Sequence, residues 1–512
     1  VTDSGNPYRT RVVVRRPSSQ SKFNGTAIVE WTNVSQGHDH EVDWFLSAEH
    51  LVRSGYAWVG VSAQSVGVNA LKEWSPARYG SLNVTVIPAG GAPGRGGAGG
   101  GRGGPAGPAG AGRGGAIADQ NEGAGFQLLA LQQGGAPGGG RGAPGGAAPG
   151  ARGGQGGFGG GRGGGQGGPG GGAGRGQGGP GGGAGRGAGG PGGGRGGPGG
   201  GGELAEDIYT QAALAVRGKA KGEVMGGLKV ERVIAIGHSQ SCGRLASYFN
   251  SVHPLSPVYD SVVLHGCQSR MRTDLNVKIF NLLSETEGIS TNEDTAMFRV
   301  WQVAGTSHLD AKDSRALGAL GLKAGGAAPV DGPGVLAPPT ISGAYKDESG
   351  KAVMRGVGTY QAGEAQPNDG CVHPTLSRIP FSYAMDAAMD HVNRWVKDGT
   401  LPPVSPRFEV SGNAIARDEY GNAKGAIQLS QHAVPTGLNR GDNPGSTGLV
   451  CSLLGWYEPF DDATLAKLYP SHDGYVKAVQ AVTEKNLKAG FIVKEDADAT
   501  IAEAKSSRIG KR

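Results

Sequence analysis

Apolar positions along the chain fall into two rhythms. Short runs rich in Val, Ile and Ala predict strands at Arg11–Arg15, Gly25–Thr32, Tyr56–Ser62, Val230–Ile236, Ser261–Leu264, Val277–Leu283 and Phe298–Val303. Apolar residues spaced by three and four predict helices over Asp43–Arg53, Glu203–Arg217, Cys242–Asn250 and Phe381–Lys397. Gly55 stops the first of these, and Asp398-Gly399-Thr400 with Pro402-Pro403 stops the last. Most of the strands are apolar throughout rather than alternating, so both faces of their sheet are covered, and the strand-then-helix order makes that sheet mostly parallel. The fold class is α/β. Residues 311–372 have weak periodicity and read as a long excursion over the sheet edge. A polar, Asn/Gly-rich stretch (405–450) and two helical stretches near 461–469 and 473–488 suggest a C-terminal region packed on the first domain.

Both rhythms stop at residues 90–202. That block holds 61 of the 101 Gly and nine Arg against two acids, Asp119 and Glu122, a net charge of +7. The other 399 residues are left at −1, so the overall +6 and the pI near 9.0 belong to the block and imply no nucleic-acid partner. Gly does not recur at every third position, which excludes a collagen helix. With so few apolar side chains the block cannot offset the entropy of ordering, and it is expected to be a disordered Gly-rich insertion. One island, Ala116–Gln133 with Phe126, Leu128, Leu129 and Leu131, is apolar enough to dock as a short helix. The organisation expected is a domain in two parts, 1–89 and 203–400, interrupted by the 90–202 insertion and followed by 401–512. Three roles for the insertion compete: a tolerated repeat expansion, a lid or polymer-contacting arm, and RNA binding of the Arg-Gly type. Phe158 is the one aromatic in its repeat half, which argues against RNA.

No run of about 18 apolar residues exists, so no membrane span is expected. The chain starts at Val1 with neither a charged nor an apolar leader, and the expectation is an exported, periplasmic or secreted protein whose signal is not visible. Cys242, Cys267, Cys371 and Cys451 form no C-x-x-C pair, and free buried thiols compete with one or two bridges.

The most specific local signal is Val233-Ile-Ala-Ile-Gly-His-Ser-Gln-Ser-Cys-Gly-Arg-Leu245. A strand runs into Gly237-x-Ser239-x-Ser241 and a helix follows at once, the setting of a nucleophile elbow. Ser241 stands where that pattern has Gly, and it is still small. The helix start aims N–H groups at an oxyanion, with the Gln240 amide as the first donor. A serine needs a base, and the base an orienting acid. His308 follows strand Phe298–Val303 in Ala304-Gly-Thr-Ser-His308, and Ser284-Glu-Thr-Glu287 follows strand Val277–Leu283. Ser239, Glu287 and His308 therefore come in the order nucleophile, acid, base, each at the carboxyl end of a predicted parallel strand. Glu285 remains an alternative to Glu287, and His373 is the reserve base. His38-Asp39-His40-Glu41 could be taken for a metal site, but consecutive loop residues seldom converge on one ion, so no metal is expected. Trp31 and Trp44, with Gln64, are candidates for a substrate pocket, while burial of the Trp pair in the core is the plainer reading.

The elbow, Leu245-x-x-Tyr248-x-Asn250-x-x-His253-Pro254-Leu255, Val29-Glu-Trp-Thr-Asn33-Val34-Ser35, Asp43-Trp44 and Gly55-Tyr-Ala-Trp-Val-Gly-Val-Ser-Ala-Gln64 together resemble a bacterial α/β-hydrolase family of serine esterases. Val303-Ala-Gly-Thr-Ser-His308, Arg394-Trp-Val-x-x-Gly399 and Leu468-Tyr-Pro470 are similar too. The resemblance implies the α/β-hydrolase fold and a carboxylesterase with a Ser-His-Glu triad. It also implies a second oxyanion amide from the loop after Gly25–Thr32, at Asn33 or Val34, with no metal or organic cofactor. The substrate implied is a small-molecule or polymeric ester. An amidase or acyltransferase on the same residues, and a non-catalytic binding scaffold bearing the Gly-rich arm, are the alternatives.

Overall fold

The computed structural model describes residues 5–86, 204–220, 223–313, 344–346, 352–354, 373, 375–445 and 449–511. The Gly-rich insertion with its Ala116–Gln133 island, and most of the 311–372 excursion, lie outside them. Seven strands form one sheet: β1 (Val12–Arg15), β2 (Thr26–Trp31), β3 (Ala57–Val61), β4 (Arg232–His238), β5 (Ser261–His265), β6 (Lys278–Ser284) and β7 (Phe298–Val303). Their order is β1-β3-β2-β4-β5-β6-β7, with β1 antiparallel to β3 and every other pair parallel. The insertion lies in the chain between β3 and β4, so one continuous sheet is built from segments on both sides of it.

Each strand expected is present, within two residues at either end. Strands β2 to β5 are buried along their whole length because helices cover both faces. One face carries Ala27, Val29 and Trp31 of β2 and packs against α4 (Ala205–Val216) and α5 (Gln240–Ser251) through Tyr209, Tyr248 and Phe249. The other carries Ile28 and packs against α1 (Val42–Arg53) and α6 (Phe381–Asp398) through Trp58, Trp301, Phe381 and Met385. Burial of each such large side chain contributes roughly 1.5–3 kcal/mol. Two shorter helices, α2 (Ser65–Trp74) and α3 (Pro76–Tyr79), follow β3 and were not evident from periodicity. In α2 only Gly67 and Val68 are buried, too narrow a stripe to register as amphipathic.

Glu30, in the middle of apolar β2, is 1 % exposed. Its carboxylate accepts from the Asp43 and Trp44 amides at 3.2 and 3.1 Å and from Trp58 Nε1 at 2.9 Å. It caps α1 from the neighbouring strand, satisfying amides that a helix start leaves unpaired. Beyond β7 the C-terminal region continues the sheet, since Ile427 exchanges backbone hydrogen bonds with Gln302 and Ala304 (2.8 and 2.9 Å). The helices expected near 461–469 and 473–488 are Asp462–Leu468 and His472–Ala489, and Lys494–Ser506 is an additional one.

That last helix brings Asp496 against Asp386 of α6. Both acids are buried, and each keeps a side-chain oxygen without a hydrogen-bond partner. Burial first, and then Asp386, push the Asp496 carboxyl up to about 9 against the pull of Lys312 and Arg53. Burial raises Asp386 as well, against His50 and Lys312. Between about pH 4 and pH 9 the folded pair therefore holds a proton that the unfolded chain releases. Its stabilisation is complete below the unfolded carboxyl value and is lost as pH rises, on the order of 1.4 kcal/mol per pH unit. Asp496→Asn, neutral at every pH, is expected to melt above the wild type at pH 8, with the gap closing towards pH 5 in thermal unfolding followed by circular dichroism.

Candidate active site

The carboxyl ends of the parallel strands converge, as open α/β sheets require of a site. Ser239 follows β4 directly, Gly266 follows β5, Glu287 lies three residues past β6 and His308 five past β7. Ser239 has φ 59° and ψ −115°, a conformation rare for an L-residue. Its amide donates to the His265 carbonyl at 3.0 Å and its carbonyl accepts from Gly243 at 3.1 Å, which fixes the turn from both sides. The small neighbours are required by space. A Cβ on Gly237 would stand 3.0 Å from Ser241 Cβ and from a Leu245 methyl, so the substitution of Ser for the second Gly of the pattern is accommodated only because Gly237 is kept.

Ser239 Oγ lies 2.7 Å from His308 Nε2, and His308 Nδ1 lies 2.6 Å from Glu287 Oε1. The other Glu287 oxygen accepts from the Ser284 amide at 2.6 Å and the Ser284 hydroxyl at 2.7 Å. Burial works to raise the Glu287 carboxyl, but the His308 bond and charge, with the two Ser284 bonds, outweigh it and hold it below the ordinary carboxyl range. Glu285, the alternative acid, is turned elsewhere. It is 4 % exposed, pairs with Arg417 at 2.8 Å and accepts from the Gly305 amide at 2.8 Å. Thr286 between them accepts from the His308 amide at 2.9 Å and donates to the Gly441 carbonyl. The reserve base His373 is stacked on Trp456, ring centres 3.7 Å apart, and it is His308 that meets Ser239.

The loop after β2 separates the two amides expected there, Asn33 and Val34. The Asn33 amide donates to the His40 carbonyl at 3.0 Å, so it is not free to serve an oxyanion. The Asn33 side chain instead donates to the carbonyl of His238, the residue before Ser239, at 2.9 Å. Of the two amides considered there, Val34 is the one that meets no acceptor among the described residues. Gln240, at the first position of α5, has its side chain held by Gln64, whose Oε1 accepts from Gln240 Nε2 at 3.2 Å and from Trp31 Nε1 at 2.8 Å.

The pocket residues need correction. Trp31 is fully buried against Tyr209 (4.7 Å between ring centres), Trp44 is 5 % exposed against Trp58 (5.3 Å), and Gln64 is 3 % exposed. Their hydrophobic surface is spent in the core, and Gln64 acts through Gln240. The residues of His38-Asp39-His40-Glu41 part company. His38 meets the Gln36 carbonyl, Asp39 accepts from Thr32 and Ser62, His40 pairs with Asp313 at 3.0 Å and Glu41 with Arg15 at 2.7 Å. Among the described residues no group of three His, Cys, Asp or Glu is placed to hold a metal ion. No described helix is long and apolar enough to cross a membrane.

A second histidine layer was missed by sequence reasoning. His238 is buried beneath the site with its ring centre 4.5 Å from that of His308 and 4.3 Å from that of His265, which in turn meets Asp43 at 2.7 Å. His238 Nε2 stands 3.1 Å from the His308 carbonyl, so it carries the proton and donates. Burial, then His265 and His308, keep His238 far below the usual histidine range, so the ring stays neutral. Adjacent Gly-His-Ser in the elbow was the available signal, but nothing in it says which way the His points.

Two of the four cysteines, Cys242 and Cys267, are joined in a disulfide, and Cys451 is disulfide-bonded too. A family model described as an alpha/beta hydrolase domain matches residues 1–502. No curated protein matches the chain, and no solved structure does. With the sheet, the elbow and a family match over nearly its whole length, the chain belongs to the alpha/beta hydrolase domain family.

Proposed function

We propose that the protein is a serine hydrolase of carboxylic esters, with Ser239 as nucleophile, His308 as general base and Glu287 as the acid that orients it. The observation that supports this most is the unbroken hydrogen-bonded chain from Glu287 through His308 to Ser239, on a serine held at positive φ. His308 Nε2 takes the Ser239 proton as Oγ attacks the ester carbonyl, and the imidazolium so formed is stabilised by ionised Glu287 at Nδ1. The amides of Gln240 and Val34 receive the developing oxyanion, each such donor worth about 3 kcal/mol. His308 then gives its proton to the leaving alkoxide. Water, deprotonated by the same nitrogen, cleaves the acyl-enzyme and regenerates Ser239. Steps of this kind call on no metal or organic cofactor.

The Cys242–Cys267 disulfide favours an oxidising compartment, because cytosolic thiols are kept reduced. An exported protein acting on small or polymeric esters is the reading that follows.

A panel of p-nitrophenyl esters and matching anilides tests the substrate class. Ester hydrolysis by the wild type should fall by at least about 10³-fold in kcat in Ser239→Ala, and hydrolysis unchanged in that variant would sink the mechanism. Glu287→Gln should lower kcat by about 10²–10⁴-fold. Glu285→Gln should keep most of its kcat and lose stability instead, on the order of 1–3 kcal/mol, because Arg417 and the Gly305 amide lose their buried partner. The opposite outcome for these two variants would move the acid to Glu285. Val34→Pro, which removes the amide hydrogen, should cost about 10²–10³-fold in kcat. Because Glu287 is held below the ordinary carboxyl range, its own protonation adds nothing to the acid limb above that range. Lowering pH should then reduce kcat/KM along a limb of slope one in a logarithmic plot, and a slope of two would contradict the assignment.

A further inference from the structure

The loop that follows β5 reaches the base, the acid turn and the helix that begins after the nucleophile, although it contributes none of the three side chains. Gly266 has φ +66°, and a Cβ there would stand 2.8 Å from His238 Cδ2 and 3.4 Å from His308 Cε1, so its backbone is what the histidine stack rests on. Cys267 is bonded to Cys242, in the first turn of α5 and three residues after Ser239, with the two Cα atoms 6.0 Å apart. Gln268 Nε2 donates to the carbonyls of Glu287 (2.5 Å) and Ile289 (3.1 Å), on either side of the turn that carries the acid. Asn281 of β6 pins the loop from below, its amide donating to the Leu264 and Cys267 carbonyls at 2.9 and 3.0 Å.

We propose that this loop, fixed by the Cys242–Cys267 disulfide and extended by Gln268, is the positioning element that holds the nucleophile helix and the acid turn in register around His308. The inference rests on the serine-hydrolase reading above. Gln268 ties the loop to the acid turn, and the disulfide ties it covalently to the first turn of the helix that follows Ser239. Opening the bond frees the loop end, and with it the Glu287 turn, while the sheet and both cores remain. Activity therefore depends on the oxidation state of one bond. A dithiol reductant gives up two electrons and two protons, closes to its own cyclic disulfide, and leaves Cys242 and Cys267 as thiols.

The full-length chain is compared as wild type, Cys242→Ala/Cys267→Ala and Gln268→Ala. With p-nitrophenyl acetate the double variant should lose about 10- to 100-fold in kcat, the effect of a misplacement near 1 Å, with KM within about twofold. Dithiothreitol should bring the wild type to the same rate as thiol alkylation and mass spectrometry show Cys242 and Cys267 opened. The downfield proton resonance of the His308–Glu287 hydrogen bond, identified by its loss in Glu287→Gln, should shift or broaden in the double variant and in Gln268→Ala. That readout concerns the bond itself and does not need turnover, so it separates failure of this proposal from failure of the hydrolase assignment. A double variant that loses thermal stability but keeps both kcat and the resonance overturns the proposal. If the double variant does not fold, Gln268→Ala decides, since its side chain is exposed: an unchanged resonance and rate there overturn the proposal equally.

Discussion

Ser239 at φ 59° is the constraint on which the site depends. A backbone in that region costs of order 1–3 kcal/mol for a non-glycine residue and persists only where its surroundings leave no alternative. Here β4 delivers the chain rigidly to His238, α5 begins at Gln240, and the Ser239 amide and carbonyl are both taken. The turn can close only with Gly237 and Ser241 almost in contact. What the strain yields is a hydroxyl set 2.7 Å from His308 Nε2 at the start of α5. The two cores that bury β2 to β5 on both faces supply the rigidity, so the packing far from Ser239 and the geometry at Ser239 are one problem.

Electrostatics around the serine are arranged to keep charge in one place. Glu287, its side chain 7 % exposed, is ionised, held so by three hydrogen bonds, one from His308 and two from Ser284. Directly below, His238 is buried and neutral, with its one proton committed to the His308 carbonyl. A cation at His238 would repel the imidazolium that the proposed mechanism forms at His308, and burial together with His265 prevents it. Glu285 shows the complementary use of an acid: two residues from Glu287 and more deeply buried, it is neutralised by Arg417 and does structural service for the His308 loop through Gly305. Adjacent carboxylates thus differ in role because one turn of backbone gives them different partners.

The elements that were legible from sequence are those whose signal is local. Apolar runs, continuous in most cases and loosely alternating at Arg11–Arg15, marked the seven strands, and strand-Gly-x-Ser-x-small-helix marked the elbow, because the close approach that needs small residues is made within five positions. Glu287 and Glu285 could not be separated beyond preference, since both lie within reach of a strand end and only the turn from Ser284 to Gly288 decides which faces His308. The Asn33 amide was lost for a related reason: the antiparallel bridge to His40 is a feature of a loop closing on itself, invisible to periodicity. Trp31 and Trp44 follow the plainer of their two readings: despite their proximity in sequence to the loop after β2, alternation along β2 and the first turn of α1 directs both rings into the core. Glu30, Asp43, His238 and His265 make their contacts across 13 to 222 residues of sequence, and no local pattern carries such information.

The C-terminal region looks from sequence like an appendix, and its contacts argue otherwise. Ile427 extends the sheet beyond β7, covering an edge that would otherwise expose unpaired amides and carbonyls. Arg417 neutralises Glu285, the Gly441 carbonyl receives Thr286, and the Leu453 carbonyl accepts from the Leu309 amide at 3.0 Å, immediately after His308. A Cβ on Gly441 would stand 2.5 Å from the Thr286 amide and 2.6 Å from the Thr306 carbonyl, so this backbone is pressed directly between the acid and base loops. Those two loops, rising from adjacent strands, have no secondary structure of their own to fix them. The residues after α6 therefore do for Glu287 and His308 what β4 and α5 do for Ser239, and the site is complete only when the last quarter of the chain has folded onto the sheet.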